Sequence, residues 1–329
     1  MMRREMRDDM TTIGTWNLEN LFRPGGKFGP TDETTYRAKL AALAVTINTT
    51  KPDVLGVQEV GDPEALADLV AMLDGDWHVE LSKHFEADHP IRVGVLSRRP
   101  LQVVQDTADF PEKVAALQVD DSTPQCRQMC RGALAVGVEL ASGPQLVVTI
   151  CHLKSKLLSY PAADGGTRFF PRDEGERARY ASYALFRRAA EAVTVRALAD
   201  HLLDNHGQTR PLVVLGDLND EPLAATTQIL LGPPVSEIGT RGALVPDRGD
   251  SSRLWNLAPL IPESERFSRV YQGRHELIDH IMVSRSLLDK VDEVHTLSAA
   301  GLPSVGDDPV ARRDASASDH SPVLAQFAV

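Results

Sequence analysis

Short apolar runs fenced by turn residues recur from one end of this chain to the other, and few folds can use so many of them. DVLGVQEV (53–60), HVELSK (78–83), IRVGVLS (91–97), ALAVGVEL (133–140), LVVTICHL (146–153), PLVVLGDLND (211–220), LIDHIMVS (277–284) and HSPVLAQF (320–327) read as strands, as does the stretch from Thr11 into TWNLENLF (15–22). Helical spacing marks YRAKLAALAVTINTT (36–50), EALADLVAMLD (64–74) and the long segment 176–207, where Gly207 is expected as the C-terminal cap. Many strands with a few helices predict an α/β layered sandwich. No internal repeat or low-complexity tract interrupts the pattern.

The strands share a second property: they end in carboxylates, amides and imidazoles. Side chains alternate along a strand, so Trp16 and Leu18 take one face while Asn17 and Glu19 share the other. The run from Val54 terminates in Gln58 and Glu59, and the run from Leu212 stops at Gly216, with Asp217 and Asn219 following at i and i+2. His152 and Lys154 leave a strand end in the same way, Asp279 sits inside an apolar strand, and Asp319 with His320 precedes the last strand. One such pair is ordinarily a solvated turn. Six strands ending in the ligand types of a hard cation, with two histidines among them, point to a shared site.

Bulk properties exclude several classes. No apolar run approaches the roughly 18 residues that cross a bilayer, and MMRREMRDDM mixes both charges without the apolar stretch of a secretory signal. A cytoplasmic protein with no membrane contact is expected, and no obligate protein partner is evident. Three cysteines cannot build a disulfide framework, and Cys126 with Cys130 lacks the second ligand pair of a structural zinc. A net charge of −11 argues against coating long duplex nucleic acid by charge alone, though an enzyme that visits nucleic acid stays open. HELIDH (275–280) has Asp279 where a zincin needs its second histidine, and no Walker A, GxGxxG or GxSxG sequence is present.

WN.E near the start, QE at 58–59, HLKSK, GDLND, LIDHIMVS and SDHSPV together resemble the endonuclease/exonuclease/phosphatase superfamily, from Asn17 to His320. The resemblance implies a deoxyribonuclease-like, four-layered α/β sandwich with two packed, mainly antiparallel sheets. Length alone suggests about two domains; the resemblance implies one, over 11–329, with residues 1–10 a disordered extension. It further implies a Mg²⁺-dependent phosphoester hydrolase, Mn²⁺ being able to replace Mg²⁺. Glu59 matches the principal metal ligand, with Asn17, Glu19 and Asp319 as further ligands or holders of bound water. Asp217 and Asn219 match the pair that aligns the attacking water and grips the phosphate. His152 is similar to a phosphate-contacting histidine, and Asp279 to the acid that orients His320. Either Asp217 or His320 takes the water's proton.

Substrate choice is expected in two irregular stretches, 159–175 and 301–316, rich in Gly, Pro, Asp and Arg. Lys154, Arg168, Phe169 and Arg172 are the candidate substrate contacts, able to grip a phosphate and stack a base. Phe169 and Phe170 can equally pin the loop to the core. Arg177, Arg179, Arg187 and Arg188 fit a solvated helix face as well as a phosphate track. The expected substrate is nucleic acid, cut by an endonuclease or exonuclease, or else a small phosphoester such as a nucleotide, inositol phosphate or lipid headgroup.

Overall fold

The computed structural model describes residues 10–140, 144–298, 301–308 and 310–329. The expected extension over 1–10 lies outside the described residues except for Met10, which already belongs to the first strand. Twelve strands form two six-stranded sheets. The first runs β15 (Val291–Thr296), β17 (Val323–Ala328), β1 (Met10–Leu21), β2 (Val54–Val60), β4 (Arg92–Ser97), β3 (His78–Leu81). The second runs β11 (Trp255–Asn256), β14 (Asp279–Val283), β10 (Leu212–Asp217), β7 (Leu146–His152), β6 (Gln128–Val138), β5 (Leu101–Asp109).

The layers follow from two-residue alternation. Ile13, Val54, Val93 and Val95 of the first sheet meet Val136, Ile150, Leu215 and Ile281 of the second in a core between the sheets. The opposite face of the first sheet, with Trp16, Leu18 and Leu55, is covered by Leu40, Leu43 and Ile47 of α1 (Glu33–Thr50) and Leu66 and Leu69 of α2 (Pro63–Val70). The opposite face of the second, with Ala133, Cys151 and Val214, is covered by Val195, Leu198 and Ala199 of α3 (Glu174–Leu203). The result is the α–β–β–α sandwich expected from the sequence.

Two differences have local causes. α3 stops at Leu203, because Asp204 and Asn205 take left-handed conformations and end it before Gly207. The Gly207 N–H instead donates to the Ser251 carbonyl. The stretch 159–175 holds a small hairpin of β8 (Tyr160–Pro161) and β9 (Thr167–Arg168), and β16 (Ser304–Val305) from the second irregular stretch joins β12 (Arg269–Tyr271) and β13 (Arg274–Glu276). All three cysteines are free, and no helix among the described residues is long and apolar enough to cross a membrane.

The central three strands of each sheet repeat one arrangement. β1 and β2 are parallel with β17 antiparallel beside β1, and β7 and β10 are parallel with β14 antiparallel beside β10. Consequently the C-terminal ends of four strands and the N-terminal ends of two point the same way within their sheets. Those six ends carry the polar residues singled out above.

Candidate active site

The backbone leaves regular strand geometry where the polar residues stand. Glu19 and Asn20 on β1, Glu59 on β2, and Asn219 after β10 all have positive φ, and the β1–β2 register shifts between Asn17 and Leu21. Matched irregularities of this kind re-aim side chains. Gly216 is required for a different reason: φ is 146° and a Cβ there would fall 1.9 Å from the Cys151 carbonyl oxygen. Only glycine lets β10 approach β7 that closely.

The side chains converge on Asp217. The Asn17 amide donates one hydrogen to Glu59 Oε1 and the other to Asp217 Oδ2, each at 3.0 Å, so a single amide links the two sheets. His152 Nε2 lies 3.5 Å from the same Asp217 oxygen, and His320 Nε2 lies 3.9 Å from it. Asp279 Oδ2 accepts from His320 Nδ1 at 2.7 Å, while Trp16 Nε1 donates to the His320 carbonyl at 2.8 Å. The Asn219 N–H donates to Asp217 Oδ1 at 2.8 Å, and its amide donates to the Leu153 carbonyl at 2.9 Å. Asp319 is 4.0 Å from His320 Nε2 and 3.5 Å from Arg269.

Burial splits the titration of this group. It pushes the Asp217 carboxyl up to about 7, the neighbouring Asp279 charge adding to the shift. Burial pulls His320 down, but the Asp279 and Asp319 charges and the Asp279 hydrogen bond outweigh it and raise the imidazole to about 10. His152 is held well below its ordinary value by burial and by Arg131. One oxygen is therefore flanked by a neutral and a cationic imidazole. Burial also raises Glu59, yet the Asn17 hydrogen bond and the neighbouring His320, His89 and Arg131 leave it below its ordinary value.

Eight expected residues thus share one site: Asn17, Glu59, His152, Asp217, Asn219, Asp279, Asp319 and His320. Glu19 stands one step back, because its carboxylate takes Arg312 at 2.6 and 2.8 Å and the Asp319 N–H at 3.0 Å. Lys154 turns into an adjoining cavity lined by Arg187 and Tyr180. Arg168 pairs with Glu176 at the start of α3, Arg172 is 3.9 Å from that same carboxylate, and half-exposed Phe169 lies between them in sequence.

Sequence reasoning missed Arg131, His89, Asn20 and Arg312. The Asn20 N–H donates to Glu59 Oε2 at 2.8 Å, and the Asn20 side chain meets His89 Nε2 at 2.8 Å. Asn20 lies inside the quoted TWNLENLF run, but its role depends on a left-handed backbone that spacing does not reveal.

The donor set fits a hard divalent cation. Asp217, Asp279 and His320 each bring a potential ligand atom within 4.8 Å of the other two, His320 only in its neutral form, and Asp279 Oδ1 is buried without a hydrogen-bond partner. Half-buried Glu59 adds a further carboxylate, held by the Asn17 amide and the Asn20 N–H.

By sequence, residues 14–320 match the endonuclease/exonuclease/phosphatase family. No curated protein matches the chain. Truncated TDP2 of Caenorhabditis elegans has the same fold at 15% identity, TM-score 0.55, with 97% of each chain covered. A mannosyl-6-phosphatase of Bacteroides thetaiotaomicron is similar at 14% identity and TM-score 0.55, covering 96% of this chain and 98% of that one. ANGEL2, a 2′,3′-cyclic phosphatase in complex with adenosine-2′,3′-vanadate, is similar at 14% identity and TM-score 0.53, covering 97% and 95%. Since the family match runs from β1 to the histidine that closes the buried cluster, the chain belongs to the endonuclease/exonuclease/phosphatase family and is a metal-dependent phosphoester hydrolase.

Proposed function

We propose that the protein is a Mg²⁺-dependent phosphodiesterase acting on nucleic acid, as an endonuclease or exonuclease, with Mn²⁺ able to replace Mg²⁺. The supporting observation is charge. Glu59, Asp217, Asp279 and Asp319 crowd one cluster in which His320 is the cationic imidazole. With one divalent ion added, these groups still sum to about −1, which repels a singly charged diester less than a doubly charged monoester.

Glu59, with Asn17 and Asp319 beside it and Glu19 behind, holds the ion in this proposal. When bound, the ion supplies charge neutralisation at the non-bridging phosphate oxygens. Asp217 Oδ2 orients the attacking water, fixed on one side by Asn17. His152 and Asn219 contact the phosphate, Asn219 using the amide hydrogen that Leu153 leaves free. The proton passes to Asp217 while His320 is cationic, or to His320 Nε2 where that imidazole is neutral; Asp279 sets the orientation of the ring in either case.

A second reading, a hydrolase of a small phosphorylated metabolite, draws support from α3. There Arg177 pairs with Glu174, Arg179 with Asp121, Arg187 with Glu86 and Arg188 with Asp220, so the arginines considered as a phosphate track are already engaged. The purified protein with Mg²⁺ or Mn²⁺ separates the two when given bis-p-nitrophenyl phosphate, p-nitrophenyl phosphate, plasmid and short single strands, with Glu59→Ala as blank. Metal-dependent cutting of the diester or of DNA that the variant abolishes supports the phosphodiesterase. Release from the monoester alone transfers the case to a small-metabolite phosphatase.

A further inference from the structure

Beside the candidate active site lies a polar cavity of about 110 Å³, lined by Lys154, Ser159, Leu158, Tyr180, Tyr183 and Arg187 among others. It adjoins the catalytic cluster through a single peptide. The Leu153 carbonyl accepts from Asn219 Nδ2 at 2.9 Å and from Arg131 Nη1 at 3.2 Å, and the next residue, Lys154, sends its side chain to the cavity wall.

Two groups in this cavity lack the partners their chemistry asks for. The Lys154 ammonium touches only neutral oxygens, the Ser155 carbonyl and hydroxyl at 3.3 Å and the Leu157 carbonyl at 3.2 Å. Among the described residues no carboxylate pairs with it. The Tyr180 hydroxyl, on a residue only 6% exposed, is buried with no side-chain hydrogen-bond partner and no well-aligned bond, the Asp121 backbone being close by. Arg187 adds a second cation, although Glu86 pairs with it and Glu191 stands 3.5 Å from its Nε. Around Lys154, Arg131 and Arg187 stand with it against Glu86 and Glu191, one positive charge in excess, while Asp120, Asp121 and Glu176 lie at the Tyr180 end. Buried donors and an unpaired ammonium are stabilised by an oxyanion, and the volume holds several waters or one phosphate group. Burial and the nearby Arg131 pull Lys154 down to about 8, a shift that a bound anion opposes.

We infer that this cavity is a second anion site, which takes a phosphate carried by the substrate next to the scissile group. The inference rests on the phosphodiesterase proposed above for the substrate as source; free inorganic phosphate shares the same chemistry. Lys154 and Tyr180 are its determinants, and they make the enzyme selective for substrates with an additional phosphate.

Two measurements test it. In the first, inorganic phosphate is titrated calorimetrically into the metal-free protein. Saturable binding is expected in the wild type and in His152→Ala, weakened at least tenfold by Lys154→Met and by the conservative Tyr180→Phe. In the second, kcat/KM is compared for a thymidine dinucleotide with and without a 5′-phosphate. The phosphorylated form is expected to be favoured at least tenfold, and either cavity variant to bring the ratio close to one. Phosphate binding without substrate preference upholds the site with free phosphate as its ligand. Absent binding, or binding that both cavity variants retain, overturns the site whatever the turnover. Intact binding in a protein inert towards all phosphoesters leaves the site standing and removes the phosphodiesterase instead.

Discussion

Asp217 is an acid held where its charged form is disfavoured, and this has a sign. Its folded-state value, raised from 3.8 to about 7, contributes stability that is complete below about pH 4 and is lost as pH rises through 7. His320 acts in the same direction higher up. Raised from 6.5 to about 10, it contributes fully below about 6.5 and loses that contribution as pH rises through 10. The metal-free protein is therefore expected to melt at steadily lower temperature from about pH 6.5, above which the lowered His152, His89 and His280 no longer oppose the trend, to pH 8, where the lowered Lys154 begins to, as thermal melts in EDTA would record. Asp217→Asn removes the buried charge; at pH 8 it is expected to gain about 1–3 kcal/mol of stability and to lose turnover. The new amide N–H must, however, face one of two donors, the Asn17 amide or the Asn219 N–H, so denaturant titration of the pair shows whether loss of the buried charge outweighs that clash, and a less stable variant would show that it does not. His320→Ala is expected to lower kcat by about 10²–10⁴ with an unchanged circular dichroism spectrum. Near-normal turnover would sink its role in moving the proton.

At the scale of elements, the strands that carry the site were legible because they are buried on both faces and read as apolar runs with polar ends. β5 and β15 were not. Both are edge strands, and their sequences, LQVVQDTAD and VDEVHT, keep charged or exposed residues throughout, which blunts the pattern. The same division holds in the site. Asp217 and Asn219 are visible at i, i+2, whereas the Arg312–Glu19 pair joins residues 293 positions apart and no spacing announces it. Gly216, inside the legible GDLND run, controls how β10 meets β7. Gly216→Ala would push a methyl group into the Cys151 carbonyl and force a disfavoured φ. A loss of about 3 kcal/mol or more is expected, read by chemical denaturation, and a variant within 0.5 kcal/mol of wild type would contradict the close approach.

For the whole molecule, the matching ends of two sheets gather carboxylates that only a cation can reconcile. Binding to the folded form alone stabilises it, by about 2.7 kcal/mol at a hundredfold excess over Kd. Mg²⁺ or Mn²⁺ is expected to raise the melting temperature of the wild type and to leave Glu59→Ala nearly unmoved. An equal rise in both would place the ion elsewhere.

The Asn17 amide, bonded to Glu59 on its own sheet and to Asp217 on the facing one, makes the site a caliper whose jaws belong to different sheets. Each sheet keeps its own hydrogen-bonded ladder, but the jaws stay aligned only while the apolar layer between them holds. Warming that lets the sheets slip will open the jaws before either ladder breaks. Activity should therefore fail several degrees below the melting transition seen by circular dichroism, and the enzyme will lose its function while still looking folded.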